Sequence, residues 1–502
     1  MAGRRWQGFW AAALAALAAT GCRAVSPPEV PRPLRLVFEA APVGMDPHLS
    51  GDFHTSNVLQ QIFEGLTVLD ANLRVKPALA ASWETPNETT WVLHLRPDVE
   101  FHNGQKLTAA DVVFSLRRAK ELPGSDIASD LSAVRGVRAT DPLTVEIDLS
   151  QPSATLLAKL AFVSIVPANS PDSIQWPVGT GPYWVERIVP GERVDLRAFE
   201  RYWQGPANER EVSLVFVPNE AERVRLLLSG DADLVAGLAP EDVARVNAVP
   251  GCRAAAVEGL TVNYIQLRVD RPPFSDLRVR RAVDLAVDRN ALVEDVYRGQ
   301  ARATAQIVTA NDVGYAPDVA VHRRDVIEAR RLLAEAGYAG GLDLELEYRA
   351  GGRPMVEIQR QLAEVGIRVA LRARRWEDLY PRMLAGHVSF VVVSVLAESG
   401  DASDILDSSL HSRGTKPGFG EANVSGYSNP ELDRLIEQAD HTLDPLQRRE
   451  RLQRAIRILS DDVPYVPLVV PFDLYGIRAG LDWQPRVDGL ILAYDIRRRD
   501  AD

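Results

Sequence analysis

The side chains that could do chemistry in this sequence do not stand at the spacings that nucleophilic, metal or nucleotide chemistry requires. No Gly-x-Ser-x-Gly, His-Glu-x-x-His or Gly-x-x-x-x-Gly-Lys-Ser/Thr stretch occurs. The strained nucleophile elbow, the helix-borne zinc pair and the phosphate-cradling loop therefore lack their parts. Gly179-Thr180-Gly181 resembles a dinucleotide turn, but Pro182 follows and removes an N–H that such a loop aims at phosphate. His48 and His54 lie six apart, His102 stands alone in Phe101-His102-Asn103-Gly104, and no two histidines fall at a helical ligand spacing. Asp401 and Asp404 could form a carboxylate dyad, although chance proximity is common among 68 acidic residues. The expectation is a non-enzyme with no catalytic residue, no metal and no cofactor.

Charge and cysteine content narrow the class further. Against 57 Lys and Arg stand 68 Asp and Glu, a net charge of -11 with no long basic block, so a phosphate-tracking nucleic-acid surface is not expected. The two cysteines, Cys22 and Cys252, allow at most one disulfide and no Cys-x-x-Cys site. Arg4 and Arg5, the apolar stretch Phe9 to Ala19 and then Thr20-Gly21-Cys22 have the layout of a secretory signal, whose apolar core is too short for a permanent span. The cysteine after two small residues resembles a bacterial lipobox, in which that thiol is lipidated; Ala19 departs from the leucine more usual there. Residues 23–33, with Pro27, Pro28, Pro31 and Pro33, read as an extended tether. Cys252 is then a lone thiol. No later uncharged apolar run reaches about 18 residues, so the remainder is expected to be soluble and outside the cytoplasmic membrane.

The elements that must position any site fall into two regions. With 502 residues, 46% hydrophobic and 25% charged, the chain is long enough for roughly two to four domains. Trp91, Leu93 and Leu95, and later Val145, Ile147 and Leu149, alternate with polar neighbours and read as half-buried strands. Thr108 and Asp111 between them mark a capped helix start. From 275 onward the pattern changes. Asp276 caps a helix through Val287, a second helix runs from Asp325 to Ala336, and Leu342 to Leu346, Pro354 to Val365 and Ile367 to Leu371 read as a βαβ unit. The apolar run Phe390 to Leu396 fits a buried parallel strand. Helices at Pro430 to Ala439 and Pro445 to Leu459 follow, then a strand at Tyr465 to Val470.

An ordered set of short motifs adds a resemblance over nearly the whole mature chain. Met45-Asp46-Pro47, Ile62 to Leu66, Pro77 to Trp83, Leu95 to Gly104 and Leu107 to Ser115 come first, then Gly179 to Tyr183 and Tyr202-Trp203. Phe274 to Ala282 with Asp288-Arg289, Leu332 to Tyr338 and Asn423 to Pro430 complete the series. Together they are similar to the family 5 extracytoplasmic solute-binding proteins of ABC importers, the peptide/nickel group. The resemblance implies an α/β, two-lobe periplasmic-binding-protein fold of the Venus-flytrap type with an extra α+β subdomain in lobe I. It implies lobe I over 34–266, lobe II over 267–471 and a return to lobe I over 472–502, with hinge crossings near Asn263 to Ile265 and Pro467 to Phe472. The implied partners are a peptide or small-molecule ligand and an ABC permease and ATPase complex, with the membrane reached through the lipid anchor only and the protein a monomer.

Site residues follow from the same resemblance. Peptide binders of this family hold the ligand carboxylate with an arginine after a lobe II strand, a place matched by Arg349 and, second, by Arg353; a guanidinium fork suits a carboxylate. The ammonium anchor is an aspartate in an Asp-x-x-Asp-Pro segment. Here the segment is Leu396 to Asp404, the anchor falls on Ser399, Glu398 or Asp401 can replace it, and Ser403 stands for the proline, a departure that puts peptide specificity in question. The loop from His48 to Thr55 and Trp376 are further cleft candidates, whereas Trp83 and Trp203 belong to packing motifs. Alternatives are a nickel-chelate, opine or sugar binder on the same fold, or a ligand-sensing accessory lipoprotein.

Overall fold

The computed structural model describes residues 32–350, 352–414, 416 and 418–499. The signal segment, Cys22 and most of the tether lie outside the described residues. Apolar strands are the organising element. One sheet carries Leu34–Phe38 between Glu211–Phe216 and Leu234–Ala236, both parallel to it, and extends outward through the antiparallel strands Arg193–Ala198 and Tyr183–Val189. A second sheet holds Ile367–Arg374, Leu342–Arg349, Phe390–Val395 and Val262–Leu267 in that order. Both sheets share the 14-residue strand Tyr465–Arg478.

That shared strand fixes where the chain changes lobes. Its first part, Tyr465 to Val469, pairs with Val262–Leu267, and its last part, Phe472 to Arg478, pairs with Cys252–Glu258. The crossings therefore fall at 259–261 and at Pro471. The first boundary expected from the sequence, at 266/267, cuts a strand that pairs only within the second sheet; the β-pattern runs through the true crossing without a break. The expected end of the last strand at Val470 is likewise short, because Pro471, Asp473 and Gly476 interrupt its apolar run while the backbone continues into the other sheet.

Local rules account for the elements around these sheets. Leu342–Arg349 and Ile367–Arg374 are parallel from Leu342↔Ile367 to Arg349↔Arg374, joined by the helix Met355–Glu364, as expected for a crossover unit. Phe390–Val395 is parallel to Leu342–Arg349 but antiparallel to Val262–Leu267, so the expected parallel strand is parallel on one side only. Asn429 and Asp444 cap the helices Pro430–Asp440 and Pro445–Asp462, each with proline in the first turn, where a missing N–H is harmless. A separate antiparallel sheet of Ala80–Asn87, Thr90–Leu95, Thr144–Leu149 and Val134–Asp141 packs on the helix Ala109–Glu121. This is the extra α+β subdomain.

The sequence motifs of lobe I converge on two carboxyl groups, half-buried Glu64 and buried Asp46. Glu64 accepts hydrogen bonds from the Thr180 hydroxyl at 2.8 Å, the Tyr202 hydroxyl at 2.9 Å and the Trp203 indole at 3.0 Å. Burial pushes its pKa up to about 7, and those three donors work against the rise. The Gly179-Thr180-Gly181 turn lies flat on the preceding motif: a Cβ on Gly179 would sit 2.0 Å from the Ile62 carbonyl oxygen, and on Gly181 2.7 Å from it. Close backbone approach, not phosphate, is what these glycines serve. Asp46 holds Arg118 through two bonds of 2.6 and 3.0 Å and accepts from the backbone N–H groups of Ile174 and His48.

Candidate functional site

A cavity of about 650 Å³ opens between the lobes, with Gln60, Glu64, Phe162 and Tyr494 from lobe I and Glu398 from lobe II on its walls. The strand Phe390–Val395 delivers the lobe II side. Its first four residues are buried, and beyond Val395 the chain leaves the sheet and exposes Glu398 to the cleft.

The loop that follows is rigidly held, which fixes where Glu398 points. Asp404 accepts from both the backbone N–H and the hydroxyl of Ser399 at 2.8 Å. Asp401 is 8% exposed and forms a two-pronged ion pair with buried Arg448, one prong at 2.9 Å, while accepting from the Ser403 N–H. Gly400 adopts φ +72 and lies against Leu73 of lobe I, where a Cβ would come within 2.6 Å of that side chain. Only glycine takes this backbone and this contact together.

Glu398 differs from its neighbours: among the described residues it has no hydrogen-bond or ion-pair partner. Its side chain is exposed to the open cleft, with much of the protein close around it. This desolvation, with the negative charges of Asp404, Asp130 and Asp52, pushes its pKa up to about 7. A nearby cation would stabilise the charged form of a carboxyl in that setting.

The other sequence candidates divide. Arg349 ends the strand Leu342–Arg349, is exposed, and has no ion pair among the described residues. With Tyr348, Trp376 and Ser394 it lines a second depression of about 480 Å³. Trp376 is 39% exposed and stacks on Tyr380, with ring centroids 5.1 Å apart. Arg353 is already committed, bridging the lobes to Glu241 at 2.9 Å and Glu220 at 3.4 Å. Ser399 and Asp401 are likewise spent on the loop itself.

His48 and Thr55 are corrections, since both are 0% exposed. The Arg118 guanidinium donates to Nδ1 of His48 at 2.8 Å, so Nε2 carries the proton and donates to the Ser164 carbonyl at 2.9 Å. Burial drives its pKa down to about 4, leaving a neutral core histidine. The Thr55 hydroxyl accepts from the backbone N–H of Val43 at 3.0 Å. Sequence reasoning missed Asp130, Phe162, Asp407 and Asp440, which line the interlobe space. They come from four separate stretches, and no local pattern marks them.

The family model described as bacterial extracellular solute-binding proteins, family 5 Middle, matches residues 74–417. The chain is 27% identical over 469 residues to heme-binding protein A of Haemophilus influenzae, covering 85% of each. It is 26% identical over 470 residues to the dipeptide-binding protein of Escherichia coli, covering 85% of this chain and 87% of that one. An ABC transporter-associated periplasmic binding protein from Helicobacter pylori, solved with the peptide STSA, superposes with a TM-score of 0.82 at 23% identity, over 93% of this chain and 98% of that one.

Proposed function

Because the chain belongs to the family 5 bacterial extracellular solute-binding proteins, we propose that it captures a short peptide or similar amine-bearing solute between its lobes and presents the closed form to an ABC permease and ATPase. The observation that carries this reading is the unpartnered Glu398 carboxyl in the cleft, suited to a ligand ammonium. Arg349, equally unpaired, takes the ligand carboxylate through a two-pronged guanidinium contact. Ser394 lines the Arg349 depression and Glu398 lies four residues further along the same chain. At about 3.3 Å per residue, the edge of the Arg349 depression at Ser394 lies at most roughly 13 Å from Glu398 along the chain, a spacing that a short extended peptide can bridge.

Closure follows from differential binding. A ligand that touches both walls favours the closed form, and swinging an open:closed ratio from 99:1 to 1:99 takes about 5.5 kcal/mol of differential affinity. The closed arrangement is supported by the Arg353 bridge to Glu241 and by the backbone N–H of Ala154 donating to the Asp440 carbonyl at 3.1 Å. Lipidation of Cys22 would hold the monomer at the outer face of the cytoplasmic membrane or in the periplasm.

Native mass spectrometry of protein lacking the signal segment and Cys22, purified without denaturant, tests the reading. Co-purified peptides released on denaturation, together with loss of binding in Arg349→Ala, are the expected result. A single carboxylate-free, amine-free species would overturn it and favour another solute class on the same fold.

A further inference from the structure

A side chamber of about 310 Å³ opens off the main cleft and shares Ser129, Asp130, Phe162 and Glu398 with it. Its walls come from the α+β subdomain on one side and from the segment 396–440 of lobe II on the other. Five carboxyl groups line it, those of Asp130, Glu398, Asp404, Asp407 and Asp440, against one cation, Lys159. Arg448 lies close behind but is committed to Asp401 and to the Ser403 hydroxyl.

The individual acids show which end of the chamber is unsatisfied. Asp404 is spent on Ser399, and Asp440 accepts from the Ser403 hydroxyl at 3.1 Å. Asp407 hydrogen-bonds with Asp440 through a proton that it carries, and its Oδ1 is buried with no hydrogen-bond partner. Burial raises the pKa of Asp407, and the neighbouring Asp440 charge adds to the rise; burial likewise raises that of Asp440. A buried carboxyl oxygen without a donor costs free energy unless a ligand supplies one. Among the described residues no group of three His, Cys, Asp or Glu side chains converges closely enough to hold a metal ion. The acids are instead spread along a chamber, a shape that fits a flexible chain ending in a nitrogen cation.

We propose that this chamber is a specificity subsite for a primary ammonium or guanidinium borne by the ligand, with the Asp407 and Asp440 carboxyls receiving it at the closed end. The inference rests on the peptide reading for its geometry. Because Glu398 borders both spaces, the ligand residue whose α-ammonium sits on Glu398 is the one whose side chain enters the chamber. The subsite therefore selects peptides that begin with lysine or arginine. Ligand contact with both walls also couples this selection to closure, since Asp130 and Lys159 belong to lobe I and Asp407 and Asp440 to lobe II.

Calorimetric titration of the mature protein with the tripeptide Lys-Ala-Ala and with its Nε-acetyl-lysine form tests the subsite. The free amine is expected to bind about tenfold or more tightly than the acetylated peptide. Asp407→Asn combined with Asp440→Asn is expected to abolish that preference. Equal binding of both peptides by wild-type protein would overturn the subsite and leave the peptide reading intact. If neither peptide binds, putrescine in a thermal-shift assay separates the two ideas. Stabilisation of wild type but not of the double variant would uphold the subsite and favour a non-peptide amine as the solute, and no shift at all would overturn the subsite. The wild-type comparisons need no folded variant.

Discussion

Acidification should release an amine-bearing ligand through one carboxyl. Glu398 has its pKa pushed up to about 7 by desolvation and by its acidic neighbours, so below that pH it becomes a neutral group with no attraction for an ammonium. The sign is fixed: affinity is full well above pH 7 and is lost as pH falls through about 7, until the carboxyl protonates in the complex too. An ammonium seated on Glu398 returns its pKa to the ordinary carboxylate range, so binding near neutral pH expels about half a proton. Taken at face value, going from about pH 8 to about pH 5.5 weakens binding about thirtyfold. Cleft water screens a group that is partly exposed, and about tenfold is the expected figure. Titration calorimetry in buffers of different ionisation enthalpy reads both the affinity and the proton count. Glu398→Gln should bind more weakly at about pH 8 and flatten the profile over this range. If that variant keeps the wild-type slope and proton release, Glu398 is not the anchor and the reasoning fails.

Other outcomes follow from the packing. Asp401→Ala strands the buried Arg448 charge and should cost about 3–5 kcal/mol of stability by denaturant unfolding, with the Glu398 loop loosened. Gly179→Ala drives a methyl into the Ile62 carbonyl and should cost about 3 kcal/mol in the same assay, whereas a nucleotide-binding turn would show its loss in ligand affinity instead. Arg353→Ala removes a partly exposed interlobe bridge and should change global stability by less than about 1 kcal/mol. Its effect should appear as a larger radius of gyration in small-angle scattering of the ligand-free protein; an unchanged radius would mean that the bridge does not bias closure.

The scaffold was far more legible in the sequence than the site. Leu342, Leu344 and Leu346, the stop at Gly366 and the alternation after Ile367 reveal a crossover unit because periodicity is a local property of the chain. The same holds for Thr108 with Asp111, Asn429 and Asp444, whose capping partners lie within three residues. His48 read as a loop residue near a ligand because its actual partners, Arg118 and Ser164, are 70 and 116 residues away. In the segment from Leu396 to Asp404 the family pattern offered Ser399 as the anchor with Glu398 or Asp401 as replacements, and the sequence alone could not choose among them. Ser399 and Asp401 are consumed by Asp404 and Arg448, and only the resulting loop geometry leaves Glu398 as the free carboxyl. Asp130, Asp407 and Asp440 were invisible as a group, since an isolated acid carries no signal until lobe packing brings three stretches together.

The central claim is that a ligand ammonium rests on Glu398 inside the interlobe cleft. A double-mutant cycle tests it most directly, pairing Glu398→Gln with N-acetylation of a bound peptide identified from the purified protein, or of Lys-Ala-Ala. A shared contact predicts that each change alone weakens binding and that the second adds little to the first, with a coupling of about 1.5 kcal/mol or more. Additive effects, with coupling within about 0.3 kcal/mol of zero, would place the ammonium elsewhere and contradict the account.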